Sequence, residues 1–250
     1  MDYFYYWIGH LAFAVVVFII IKYILTSPKN GFEARLKNYI PKTDLPAERK
    51  SYLIGREGYV YNVLIVLGIL VFLAPLLLLY YYVNSGYVSE YVPQMDILKE
   101  LSTELPVIYL YITFLPYFGI VYWFLRFARL NTTRAQEMLL EEMSEEDFVY
   151  FQKMRKTSFF TKYSLPFVLC RENLYFFNGY RTDEIPINTI KKVGFTIRRH
   201  LIRDEFRSVF IYHPKKSYVK VYQRLYPYLV EFVQKYNPNA QCASPNNLPQ

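Results

Sequence analysis

Three long apolar runs constrain this chain more than any other feature. Nineteen residues between Asp2 and Lys22 carry no charge except on His10 when it is protonated. A second run, YVYNVLIVLGILVFLAPLLLLYYYV, follows Glu57, and a third spans Leu105 to Leu125. A helix of about 20 apolar residues crosses a hydrocarbon core of about 30 Å. We therefore predict three transmembrane helices, over about residues 4–25, 59–83 and 106–126.

Tyrosine and tryptophan gather at the ends of these runs. The chain has 27 Tyr and 20 Phe in 250 residues. Amphipathic rings prefer the headgroup level of a bilayer, so we interpret the terminal rings as interfacial anchors. They are Tyr3, Tyr5, Tyr6, Trp7, Tyr80, Tyr81, Tyr82, Tyr122 and Trp123.

The charge of the loops predicts the orientation. Residues 26–57 contain seven basic side chains, whereas residues 84–104 contain Lys99 beside four acidic ones. Arg126, Arg129 and Arg134 follow the third run. Short loops rich in Lys and Arg stay on the cytoplasmic side. We expect a multi-pass protein of a bacterial inner membrane, with its N-terminus and residues 84–104 outside and its C-terminal half in the cytosol.

A connector helix is predicted over residues 135–157, after a membrane region of residues 1–134. Ser144 followed by Asp147 resembles a capping box that begins a second helical stretch. Acidic residues then occupy its first turn, and Lys153, Arg155 and Lys156 lie near its end, as the helix dipole favours. The acidic run around residue 145 is interpreted as a solvated face.

The sequence period then changes to that of strands. Asn178-Gly179 is a strong hairpin signal, since both central residues of a type I′ turn need positive φ. A second hairpin is predicted around residues 213–216, and an amphipathic helix from Tyr226, with Pro227 in its first turn. We predict a cytosolic α+β domain over residues 158–237, with a small antiparallel β-sheet or barrel and a C-terminal helix. Residues 238–250 are expected to be disordered.

The passage ENLYFFNGYRTDEIPINTIKKV resembles the bacterial YcxB-like family. The likeness covers roughly residues 148–236 and consists of apolar strands and turns. The strand order with a final helix is similar to that of pleckstrin-homology-like (PH-like) domains. The resemblance implies a PH-like fold attached to a membrane anchor, and no particular activity.

Positive charge in the C-terminal region indicates an anionic partner. Residues 148–250 hold 17 basic and six acidic side chains. Basic loops beside an anionic leaflet are each attracted by about 1 kcal/mol. Plain solvation and a protein partner remain open, whereas nucleic acid is disfavoured by the membrane tether and by the lack of a recognised RNA-binding signature. The candidate anionic-surface residues are Arg198, Arg199, Arg203, Arg207, Lys215, Lys216 and Lys220.

No enzyme motif is present in the sequence. It has no GxSxG, HExxH, P-loop or glycine-rich dinucleotide turn. His200 and His213 have no Cys or His at metal-ligand spacing, and Cys170 and Cys242 form no CxxC pair. We expect no catalytic residue, cofactor or metal.

The sequence therefore predicts a non-enzymatic membrane protein that binds another membrane protein. The sharpest version is an immunity protein against a pore-forming toxin, and the alternative is a membrane-anchored adaptor that binds anionic lipid or a peptide through its PH-like domain. A transporter subunit is disfavoured because the runs lack Asp, Glu, Lys and Arg. Small residues permit close helix approach, and prolines within a span kink it. The candidate helix contacts are Gly68, Pro75, Pro116 and Gly119.

Overall fold

Helices dominate the computed structural model, which describes residues 2–42, 44–84, 106–157, 163, 165–196, 206–212 and 216–243. The described helices are α1 (Asp2–Thr26), α2 (Gly31–Lys37), α3 (Ala47–Gly68), α4 (Ala74–Asn84), α5 (Pro106–Glu142), α6 (Glu145–Thr157) and α7 (Tyr226–Tyr236). A π-helical segment, Ile69–Leu73, joins α3 to α4. Short 3₁₀ turns lie at Ile187–Thr189 and Gln223–Leu225.

Two small sheets are formed by the chain after α6. Their strands are β1 (Phe167–Cys170), β2 (Asn173–Asn178), β3 (Arg181–Pro186), β4 (Lys192–Thr196), β5 (Phe206–Tyr212), β6 (Lys216–Tyr222) and β7 (Gln241–Cys242). Within the described residues, one sheet has the order β1-β2-β3 and the other β6-β5-β4-β7. Neighbouring strands are antiparallel except for β4 and β7, which are parallel.

The chain divides into two compact units. The span unit comprises Met1–Ser27 and Gly58–Arg129, and the β-unit comprises Pro28–Glu57 and Leu130–Gln250. The sequence places residues 28–57 in the membrane region, but in the structure they belong with the sheets. Their apolar side chains explain the difference, since Phe32 and Tyr52 are fully buried in the core that the sheets share.

Three helices of the described chain are long and apolar enough to cross a membrane, as predicted. They are Ile8–Thr26, Ala47–Leu78 and Tyr111–Glu142. The second begins at Ala47 rather than near residue 59, and the third continues to Glu142 rather than ending near residue 126. In both cases helical structure extends beyond the apolar run, because the extra turns pack into the β-unit.

Two prolines lie inside these helices. Pro75 follows the π-helical segment Ile69–Leu73, where the Ala74 N–H donates to the carbonyl of Ile69. Proline has no N–H and its ring clashes with the carbonyl four residues before it, so a locally wider turn accommodates it. Helix α5 continues through Pro116.

One hydrophobic core holds the β-unit together. It includes Phe32 of α2, Leu139 of α5, Phe151 of α6, Phe176 of β2 and Phe232 of α7, all essentially inaccessible to solvent. Helix α7 contributes its i, i+3, i+4 face, as its periodicity predicted. Segments that are distant in sequence therefore share a single core.

The β2–β3 hairpin forms where it was predicted, but its turn lies one residue further on. Asn178 pairs with Arg181, so Gly179 and Tyr180 are the two central residues. Gly179 has a φ of 64°, and Asn178 is not among the described residues with positive φ. Glycine at the first central position is typical of a type II′ turn, so the predicted type I′ turn centred on Asn178-Gly179 is wrong.

A type I′ pattern occurs instead between β1 and β2. Arg171 and Glu172 have φ values of 49° and 64°, although neither is a usual residue for positive φ. The Arg171 N–H donates to the Asp147 carboxylate at 3.2 Å, and the Ile187 N–H donates to the Glu172 carbonyl at 3.1 Å. These bonds from outside the turn stabilise a conformation that the sequence alone did not indicate.

The predicted connector is divided between two helices. Helix α5 ends at Glu142 and α6 begins at Glu145. The Ser144 hydroxyl accepts a hydrogen bond from the Asp147 N–H at 3.1 Å, which confirms Ser144 as the N-cap of α6. The carboxylate of Asp147 is turned toward the β1–β2 turn, where Arg171 donates to it.

The predicted disordered tail is ordered in its first part. Gln241 and Cys242 form β7 against Lys192 and Val193 of β4. The Tyr226 hydroxyl also donates to the carbonyl of Ala243 at 2.9 Å. Backbone pairing with an open strand edge orders this polar segment, and residues 244–250 lie outside the described residues.

A matched pair of glycine substitutions tests the β2–β3 turn. Gly179→Ala places a Cβ at positive φ, so we expect the full-length protein to lose about 1–2 kcal/mol of unfolding free energy. Gly31→Ala, at an open helical position, should be neutral or slightly stabilising. Thermal unfolding in detergent compares them, and equal midpoints for the two variants would contradict the turn assignment.

Candidate binding surfaces

The four candidate helix-contact residues occupy different environments. A Cβ at Gly68 would lie 3.5 Å from the ring of Tyr122, so Gly68 is at a contact between the second and third apolar helices. A Cβ at Gly119 would meet nothing within 4 Å. Pro75 follows the π-helical segment, and Pro116 lies one turn before Gly119 in α5. Gly119 is thus the candidate that leaves space for another molecule.

Polar groups between the apolar helices are paired through tyrosines. Nδ1 of His10 lies 3.2 Å from the Tyr117 hydroxyl, which links α1 to α5. The Tyr111 hydroxyl donates to the carbonyl of Phe72 at 2.9 Å, inside the π-helical segment. Unpaired polar groups are costly in hydrocarbon, so these bonds favour one packing of the three helices. Sequence patterns alone did not indicate hydrogen bonds between helices at these tyrosines.

The candidate anionic surface lies mostly beyond what the structure describes. Arg198, Arg199, Arg203 and Lys215 are outside the described residues. Arg207, Lys216 and Lys220 are described only as backbone positions of β5 and β6, paired with Val221, Tyr212 and Ser208 respectively. The clustering of these seven residues stays a prediction.

Arg49 connects three helices of the β-unit. Its Nη1 donates to the carbonyls of Leu140 and Met143 at 2.7 and 2.9 Å, and its Nη2 donates to Glu145 at 2.6 Å. The guanidinium carbon lies 4.9 Å from the centre of the Phe148 ring. The last carbonyls of a helix have no partner within the helix. An arginine of α3, only 4% exposed, therefore closes the end of α5 and binds the start of α6.

A second polar contact lies further along α3. The Tyr52 hydroxyl donates to Oε1 of Gln136 at 3.0 Å, and both side chains are buried. Arg56 donates to the carbonyl of Tyr163. A Cβ at Gly55 would come within 2.4 Å of the Tyr163 hydroxyl, so this ring can lie against α3 only because position 55 is glycine.

Helix α2 is held against the sheet by charge. Arg35 forms ion pairs with Glu142 of α5 at 3.5 Å and with Glu184 of β3 at 3.4 Å. The Tyr175 hydroxyl also donates to Glu184, at 2.8 Å. Burial, followed by this hydrogen bond, raises the pKa of Tyr175. The neutral phenol is therefore retained as a donor, and these contacts fix one orientation of α2.

The two cysteines differ in exposure. Cys170 is fully buried, and burial together with the carboxylates of Asp147 and Glu142 raises its pKa to about 12. Cys242 is half-buried, and burial raises its pKa as well. Thiolates are the reactive form of cysteine, so Cys170 should be inert and Cys242 should react slowly.

Among the described side chains, buried charges occur without a cluster of metal-ligating groups. Within the described ranges, no group of three His, Cys, Asp or Glu residues could hold a metal ion. The buried charged groups Arg49, Arg56 and Asp147 contact backbone groups of the β-unit itself.

Comparison with known proteins gives no relative. No family model, curated protein or solved structure matches the sequence. The resemblance to the YcxB-like family therefore stays a prediction, carried by the quoted residues alone.

Replacing Arg49 tests whether it holds the β-unit together. Arg49→Ala leaves the carbonyls of Leu140 and Met143 without their donor, so we expect a loss of about 3 kcal/mol of unfolding free energy, since hydrogen bonds to charged groups contribute about 1.5–3 kcal/mol each. Chymotrypsin, whose aromatic cleavage sites are unchanged by the substitution, should then cleave the segment 28–57 faster than in the wild type.

The neighbouring residue gives the control for this variant. Lys50→Ala removes an exposed positive charge one position away and should change neither stability nor cleavage. Equal cleavage rates for the Arg49→Ala and wild-type proteins would show that segment 28–57 is held by other contacts.

Proposed function

We propose that this chain is a bacterial inner-membrane protein with its β-unit in the cytosol. The structure has three helices of sufficient length and apolarity. The excess of Lys and Arg predicts that residues 28–57 and the C-terminal half lie on the same side of the membrane. The observation that supports this topology is that both segments belong to one compact unit with one core, as two segments on the same side can.

Within this membrane the chain acts by binding another membrane protein. The feature that supports this role is the open face of α5 at Gly119, which has space for a neighbouring helix. Exposed apolar side chains lie on the same side of this helix, at Ile112 and Leu115. Close packing selects partners within lipid, and glycine permits the closest approach. The most specific form of this proposal is an immunity protein that blocks a pore-forming toxin.

An adaptor role is the second candidate, and the β-unit favours it. Two small sheets accompanied by a C-terminal helix that packs on the core are compatible with the proposed PH-like fold. In that case the basic residues of the second sheet would attract anionic lipid or an acidic peptide. This role places recognition in the β-unit rather than in the span unit.

Thiol labelling tests the topology. Cys242 should react with a membrane-impermeant maleimide in inverted membrane vesicles and not in intact spheroplasts, whereas Cys170 should remain unlabelled in both. Raising the pH from 8 to 9 should speed the reaction of Cys242, since the thiolate fraction rises toward its raised pKa. Cys242→Ser is the control, and labelling of Cys242 in spheroplasts would reverse the orientation.

Two glycine variants test binding through the span unit. Gly119→Leu places a large side chain in the open face, so we expect it to abolish protection against a toxin encoded beside this chain's gene while the protein stays in the membrane. Gly9→Leu, at an open position of α1, is the matched control and should still protect.

The full-length chain is needed for this experiment. A truncation near Arg134 would remove the partners of segment 28–57, including the carbonyls that Arg49 binds. If the Gly119→Leu and Gly9→Leu variants both protect as well as the wild type, the face of α5 at Gly119 is not the recognition surface. If the wild-type chain alters sensitivity to no such toxin, the immunity proposal is wrong and the adaptor takes its place.

A further inference from the structure

The tip of the β2–β3 hairpin, residues 178–182, is attached to α5 just beyond its apolar run. Nδ2 of Asn131 donates to the carbonyl of Tyr180 at 2.9 Å, and the Thr132 hydroxyl donates to that of Gly179 at 3.0 Å. Asn131 lies five residues after Arg126, the first charged residue beyond the run. At 1.5 Å per residue, this separation is about 7.5 Å along the continuous helix.

A second attachment reaches the same tip from another part of the chain. Nδ2 of Asn30 donates to the carbonyl of Thr182 at 2.8 Å. Asn30 lies four residues after Thr26, where α1 ends, and four extended residues span at most about 14 Å. The polar layer on each side of a bilayer core is roughly 5–8 Å thick. If α1 and α5 cross a membrane, these short connections limit how far the tip can lie from the headgroup layer.

The chemistry of the tip is cationic and aromatic. Arg181 is half-buried, and its Nε and Nη2 are shielded from solvent without a hydrogen-bond partner in the structure. The Tyr180 ring centre lies 4.7 Å from the guanidinium carbon. Lys29, next to Asn30, is exposed. Among the described residues, no carboxylate forms an ion pair with Arg181.

We propose that the hairpin tip binds the phosphate group of an anionic phospholipid, with Arg181 as the ligand and Lys29 as a second positive charge. The Nε and Nη2 edge of a guanidinium can donate to two phosphate oxygens at once. The Tyr180 ring lies against the Arg181 guanidinium. When phosphate binds, this ring moves aside and takes the interfacial position that tyrosine favours. The inference rests on the proposed membrane placement and not on the identity of a protein partner.

Lipid retention by the full-length protein tests this site. The protein is exchanged into detergent with phosphatidylglycerol, and bound lipids are counted by native mass spectrometry. We expect Arg181→Gln to weaken phosphatidylglycerol binding about fivefold, the factor for one basic residue near an anionic surface. Phosphatidylcholine binding should not change. Arg224→Gln removes the same charge from an exposed position and should bind phosphatidylglycerol like the wild type.

Two further measurements test the alternatives. The first asks whether the site binds a lipid headgroup or free phosphate, and the second asks whether Arg181 binds lipid or only supports the fold. Inorganic phosphate at equal concentration should not displace the lipid; full displacement would mean that the site takes free phosphate and would overturn the lipid assignment. Arg181→Gln should melt like the wild type in phosphatidylcholine, whereas equal destabilisation in both lipids would show that the arginine only supports the fold and would overturn the site.

Different results would contradict the proposed membrane placement and the proposed phosphate site at Arg181. If the wild-type protein is released from membranes by alkaline washing, the membrane placement is wrong, and the site is overturned with it. If the protein resists washing but the Arg181→Gln and Arg224→Gln variants retain equal phosphatidylglycerol, the site alone is overturned.

Discussion

The unpaired carbonyls at the end of α5 are the constraint on which the β-unit depends. This helix has 37 residues, and Leu140 and Met143 at its end are buried, so their carbonyls need donors from the protein itself. Arg49 supplies the donors from 91 and 94 positions away in the sequence, at Leu140 and Met143. The same guanidinium reaches Glu145 at the start of α6. One side chain thus sets the corner between two helices and ties segment 28–57 to the rest of the unit.

The consequence is a β-unit that is discontinuous in sequence. Its core includes Phe32 and Tyr52 from the segment between the first two apolar helices, as well as the sheets and α7. A fragment that starts at Ser144 would expose the surface that these residues cover. Functional dissection of this chain is therefore better made with single substitutions than with fragments.

Turn geometry shows where local patterns were sufficient and where they were not. The hairpin at Asn178-Gly179 was recognised because glycine tolerates positive φ, but strand pairing placed Gly179 and Tyr180 at its centre. Arg171 and Glu172 carry no turn signal, yet both adopt positive φ. Asp147, 24 residues earlier in the chain, accepts the Arg171 N–H. A contact at that separation leaves no trace in the local sequence.

The sequence by itself determined the three apolar helices, most of the strands and the amphipathic α7, since length, hydrophobicity and period are local properties. Among the candidate helix contacts, the sequence identified Gly68 and Gly119 as small residues. It could not show that Tyr122 fills the space beside Gly68 or that the space beside Gly119 is open. Only the tertiary structure decided the extension of α3 and α5, the place of residues 28–57 in the β-unit, and the hydrogen bonds of Tyr111 and Tyr117 between the apolar helices. Each of these depends on hydrogen bonds and packing between residues far apart in the chain, and such contacts form only after distant segments have come together.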